Sequence, residues 1–137
     1  MSVPEGQRSK GKLEVLIKAN ELAVYTIQIC TNQKVFKPEY RSAMTDDIIR
    51  AAKNIFIYCW TANNIRAGKD PDKARQRKRL QEQAILECYS LLAMMQMAKK
   101  LFHLSSKRIK YWGSMTIEVR DLIRGWKEAD SKRYPLK

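Results

Sequence analysis

Four segments of the chain carry apolar residues at alternating spacings of three and four, the period of an amphipathic helix. In the first, from about Lys12 to Asn32, the positions Leu13, Leu16, Asn20, Ala23, Ile27 and Cys30 form a stripe that Ile17, Leu22 and Ile29 widen. The second, roughly Tyr40 to Ile65, sets Met44, Ile48, Ala51, Ala52, Ile55, Cys59 and Ala62 on one face. The third, Pro71 to about Leu104, is almost wholly polar and charged for two turns. Its stripe of Ala84, Cys88, Leu91, Leu92, Met95, Ala98 and Phe102 starts only after Leu80. Such a helix is about 50 Å long, so its basic start is expected to project beyond the bundle. The fourth runs to about Ser131 and has the cleanest pattern: Ile109, Trp112, Thr116, Val119, Ile123 and Trp126, flanked by Met115 and Leu122.

The breaks between the segments are short. Pro38 disfavours a helical Lys37 and forces a corner after the first segment. In Ala67-Gly68-Lys69-Asp70-Pro71-Asp72, Gly68 suits the position past a helix end, and Asp70-Pro71 suits an N-cap followed by the first helical residue. Ser105 or Ser106 can cap the fourth helix, and Asp46 and Asp47 suit the start of the second. The run Ile55-Phe56-Ile57-Tyr58 is β-prone alone, but the helical stripe passes through it. These elements predict an all-α protein, an antiparallel up-down-up-down four-helix bundle over residues 12–131. Residues 1–11 are expected to form a disordered N-terminal tail and 132–137 a short C-terminal one.

Composition narrows the class. The chain has 137 residues, 45% of them hydrophobic, with 5 Gly and 4 Pro. That supports one packed domain and argues against a turn-rich β-sandwich or wholesale disorder. No apolar run approaches the roughly 18–20 residues of a membrane span, and the polar, basic start MSVPEGQRSKGK does not resemble a secretion signal. The expected location is therefore cytoplasmic. Cys30, Cys59 and Cys88 lack metal-ligand spacing and fit small core residues on successive helices. His103 is the only histidine. Phosphate-loop, dinucleotide, GxSxG and HExxH motifs are absent, so the expectation is a protein that is not an enzyme and carries no cofactor and no metal.

Charge gives the functional lead. The formal net charge is +13, from 27 Lys+Arg against 14 Asp+Glu. From Arg66 to Arg79 there are seven basic residues (Arg66, Lys69, Lys73, Arg75, Arg77, Lys78, Arg79) and two acids. From Lys99 to Lys110 there are five (Lys99, Lys100, Lys107, Arg108, Lys110) and no acid. The two blocks lie at opposite ends of the third helix. Lys99 and Lys100 suit a helix C-terminus; Arg75 to Arg79 near an N-terminus do not, which implies a partner that offsets the cost. Lys and Arg in such blocks hold nucleic-acid phosphates, with affinity that falls steeply as salt rises. Lys73, Arg75, Arg77, Lys78, Arg79, Lys99, Lys100, Lys107, Arg108 and Lys110 are thus the candidate nucleic-acid or partner-binding residues. Trp112 and Trp126 sit on the fourth seam and read as core, while Tyr111 beside the second block is the better stacking candidate. Tyr134 is a further aromatic near the end of the chain. The stripes on the first and fourth helices are broad, leaving Val24, Tyr25, Ile29, Met115 and Leu122 for a subunit interface.

Several stretches resemble one family. FKPEYRSAMTDDIIRAAKNI is similar to the start of the second helix in four-helix-bundle proteins encoded in ribosomal RNA intervening sequences, although Lys37 separates Phe36 from Pro38. LEVLIKANELAVYTIQIC, LLAMMQMAKKLFHLS and YWGSMTIEVRDLIRGWKEADSKRY resemble the accessory variability determinant (Avd) proteins of diversity-generating retroelements. The resemblance spans about Leu13 to Tyr134. It implies a small basic bundle that assembles into a homopentameric barrel. It also implies binding to a retroelement reverse transcriptase and to its template-repeat and spacer RNA or cDNA, in support of mutagenic reverse transcription and without catalytic residues. The alternatives are an oligomeric scaffold docking an acidic protein, and a standalone ribosomal RNA intervening-sequence-type bundle.

Overall fold

A computed structural model describes the backbone of residues 5–135 and the side chains of residues 11–135. Among the described residues there are four α-helices and no strand: α1 (Glu5–Cys30), α2 (Asp46–Asn64), α3 (Pro71–Leu101) and α4 (Ser106–Arg133). Each of α1 to α4 packs on two others, α1 on α2 and α4, and α3 on α2 and α4, so the four close into a bundle. Their start and stop signals are local. Lys37 is extended (φ −58°, ψ 132°), and Pro38–Tyr40 form a 3₁₀ turn that leads through a π-type turn at Arg41–Thr45 into α2. The Asp70 carboxylate accepts from the backbone N–H groups of Asp72 and Lys73, with Pro71 as first helical residue. Ser105 Oγ accepts from the N–H of Arg108 at the start of α4. Gly68 occupies the left-handed region (φ +53°) in the turn before Asp70, a conformation in which a Cβ is strained.

The ends of the helices differ from those set by periodicity. α1 begins at Glu5, within the stretch expected as a tail, while residues 1–4 lie outside the described residues. α4 ends at Arg133; of the expected C-terminal tail, residues 136–137 lie outside. The start of α3 does not project. Its buried stripe continues back from Ala84 through Gln81, Arg77 and Ala74, each packed into the bundle.

The core follows the expected stripes on α2, α3 and α4 and rotates on α1. All seven positions named on the second helix are buried. On α1 the buried line is Val15, Ala19, Leu22, Thr26 and Ile29, with Ala23 and Cys30 beside it. Leu13 and Ile17 face outward, 57% and 47% exposed. The small Ala19 and Thr26 admit closer approach of neighbouring helices than the bulkier Leu13–Ile17 line. Ile29 is part of this core, so it is not left over for a subunit interface.

A hydrogen bond also selects that face of α1. Trp112 Nε1 donates to Thr26 Oγ1 at 3.0 Å, and both residues are fully buried. Thr26→Val keeps the shape but strands the indole N–H. It should lower unfolding free energy by about 1–3 kcal/mol, read from the urea midpoint at unchanged slope.

The three cysteines lie in the core, and burial pushes each thiol up to about 12 from 9.0. Native protein should therefore resist iodoacetamide at pH 8 and react fully in denaturant. Above pH 9 the unfolded chain ionises thiols that the folded chain keeps neutral. Their contribution to stability is complete below that pH and should be lost progressively as pH rises toward 12.

Candidate nucleic-acid interface

The first basic block is built where the end of α2, the start of α3 and the end of α4 meet. Arg77 is the hub of that junction and is only 3% exposed. Its Nε donates to Asp130 Oδ2 at 2.5 Å and its Nη2 to Asp130 Oδ1 at 3.3 Å, a fork on one carboxylate. Its Nη1 donates to the carbonyls of Ala62 and Ile65, which end α2. Gln81 Nε2 donates to the same Asp130 oxygen at 2.8 Å. The guanidinium lies 5.1 Å from the Trp126 ring centroid and 5.8 Å from that of Tyr134.

Arg77 is thereby removed from the candidate contact surface. A guanidinium with four N–H groups committed inside the protein has no face left for a phosphate. The charge run supplied it, but the seam claimed it: steps of three and four back from Ala84 land on Gln81, Arg77 and Ala74. The same step forward from Trp126 on α4 lands on Asp130. Extending the α3 stripe back by two turns and the α4 stripe forward by one was the signal that would have found the pair.

The rest of the block stays on the surface. Lys73, Arg75 and Arg79 are exposed and Lys78 is half-buried. Arg75 pairs with Asp72 at 2.8 Å, an exposed contact of small energetic consequence. Among the described residues no carboxylate pairs with Lys73, Lys78 or Arg79. The fold adds cations that are distant in sequence. Lys78 and Lys127 line one notch of about 210 Å³ beside Ser131 and Tyr134. Lys69, Arg75 and Arg133 line a wider neighbouring one of about 490 Å³. Lys127 and Arg133 escape a linear reading because they stand apart from the block; folding brings the last turns of α4 against the first turns of α3. Tyr134 is half-buried, its ring flanked by Arg77 and Arg133.

The second block gathers where the α1–α2 connection meets the α3–α4 connection. Phe36 packs on Phe102 and Trp112, and Tyr40 on Phe102, with centroids 4.7, 6.3 and 5.8 Å apart. Around this apolar plug, Lys99, Lys100, Lys107 and Lys110 are exposed and Arg108 is half-buried. Lys99, Lys100 and His103 line an open concavity of about 490 Å³. His103 takes φ 54°, and the N–H of Leu104 returns to the Lys99 carbonyl, closing the end of α3. Tyr111 is 57% exposed and packs edge-on against Tyr25 at 5.2 Å. Trp112 and Trp126 are buried, so neither offers a face for stacking.

The arrangement suits binding of polyanions at both ends of α3, a helix of 31 residues. Among the described residues no helix is long and apolar enough to cross a membrane. Compared with family models, curated proteins and solved structures, the chain matches none.

Proposed function

We propose that the protein is a non-catalytic, RNA-binding accessory subunit of the Avd kind. In this reading it is an antiparallel up-down-up-down bundle that binds a retroelement reverse transcriptase and its template RNA or cDNA. The observation that carries the nucleic-acid part is the gathering of cations at the ends of α3, Lys78 with Lys127 at one and Lys99 with Lys100 at the other. Phosphate contacts by such residues supply affinity without base specificity, leaving sequence choice to the polymerase and the RNA fold. Assembly into a homo-oligomer, a pentamer by the resemblance, would repeat both ends around a ring and raise avidity without new contacts. Leu13, Ile17 and Val24 on α1, with Tyr111 and Ile117 on α4, are 40–57% exposed and supply an apolar surface for that assembly.

The test is a titration of purified protein into labelled structured RNA at low and moderate salt. Binding that weakens steeply with salt supports the reading. Absence of binding at low salt, or capture of an acidic protein with no RNA affinity, overturns it.

A further inference from the structure

We propose that the exposed seam where α3 meets α4 is a track for single-stranded nucleic acid, with Tyr89, Arg120 and Arg124 holding an unpaired base and Lys127 and Lys78 holding the adjoining phosphates. This rests on the nucleic-acid reading above and names the form of the strand.

Tyr89 on α3 is 41% exposed, too open for a core residue. Two guanidiniums from α4 lean on it: Arg120 and Arg124 each lie 5.5 Å from its ring centroid, and Arg124 also donates to its hydroxyl. Arg120 is held in place by Asp121 at 3.1 Å, whereas no carboxylate pairs with Arg124 among the described residues. Two further acids of α3 and α4 are engaged with other helices. Glu87 accepts from Asn54 of α2, and Glu118 pairs with Lys18 of α1.

The cations continue along α4. Arg120, Arg124 and Lys127 follow one another at spacings of four and three on α4, the interval that keeps side chains on one face. Lys127 reaches the notch it shares with Lys78, so the line runs into the basic end described above. From Arg120 to Arg133 it covers about 20 Å, the reach of a few nucleotides. Two like charges held against one ring repel each other, and a phosphate strand relieves that repulsion. Guanidinium planes and tyrosine rings also stack on bases, and only an unpaired strand exposes base faces to them. A duplex presents phosphates alone and gains nothing from Tyr89.

The experiment compares a labelled oligouridine with an RNA duplex of equal length, by anisotropy at low salt, using the full chain. Tyr89→Leu keeps apolar bulk and removes the stacking ring; Tyr89→Phe keeps the ring. The leucine variant should bind oligouridine roughly tenfold more weakly and the duplex unchanged, while the phenylalanine variant stays close to wild type. Unchanged oligouridine affinity for Tyr89→Leu, an equal loss on the duplex, or displacement of the strand by polyglutamate regardless of Tyr89 overturns the track. If wild-type protein binds neither RNA, the nucleic-acid reading fails with it; if it binds both and Tyr89 is indifferent, only the track fails.

Discussion

Arg77→Ala should destabilise the fold by about 3–5 kcal/mol, a large share of the roughly 5–15 kcal/mol that holds a typical domain together. The variant leaves the Asp130 carboxylate buried beside Gln81 with its cation gone, and takes one donor from each of the carbonyls of Ala62 and Ile65. The effect is large because desolvation of the remaining charge is no longer compensated. Arg77→Lys should recover only part of it, since one ammonium cannot fork onto the carboxylate and reach two carbonyls as well. Replacing both partners, Arg77→Met with Asp130→Leu, should restore much of the stability, because no charge is then left buried. Urea denaturation of the four proteins gives the comparison. A change within about 1 kcal/mol for Arg77→Ala would show that the junction is solvated and that the pair is ordinary surface chemistry. Because Arg77 is buried in the junction, an Arg77 variant that no longer binds RNA has lost its fold first.

Charge reversal of Arg75, Lys78 and Arg79 to Glu should reduce RNA affinity by on the order of 100-fold or more at moderate salt, with helicity and assembly retained. Every phosphate that the protein no longer neutralises takes roughly 0.7–0.9 from the slope of log affinity against log salt, so the slope should fall by about two to three. Arg75 and Arg79 are exposed and Lys78 is half-buried, and among the described residues the reversal breaks only the exposed ion pair to Asp72. The fold therefore has little to lose. The matching reversal of Lys99, Lys100 and Lys107 reads out the other end of α3. If both triple variants bind RNA with wild-type affinity and wild-type slope, the basic ends are solvated helix termini and the proposed function falls. Weaker binding in one triple variant alone assigns the RNA to that end.

The candidate site was only partly legible along the chain. Clustered cations such as Lys99, Lys100, Lys107, Arg108 and Lys110 are visible in any linear reading, and all of them remain at the surface. Arg77 stood in the same kind of cluster and was drawn inside, because its position on the three-and-four seam outweighed the charge of its neighbours. Lys127 and Arg133 were invisible as members of the first block, since their partners lie some fifty residues earlier. Tyr89 was invisible for the same reason: neither it nor Arg120 or Arg124 has local neighbours that distinguish it.

The helices and their punctuation are written locally in the chain. Asp70 and Ser105 cap through backbone groups two or three residues away, Pro38 turns the chain through its own ring, and the apolar period of α2 and α4 extends over several turns of one segment. Such effects are short-ranged, so adjacent residues suffice to specify them. The rotation of α1 needed the packed bundle, because two stripes competed there until Trp112 found Thr26. So did the fate of individual charges. A cation is a surface residue or a buried hub according to whether a carboxylate on another helix meets it, and Asp130 meets Arg77 from 53 positions away.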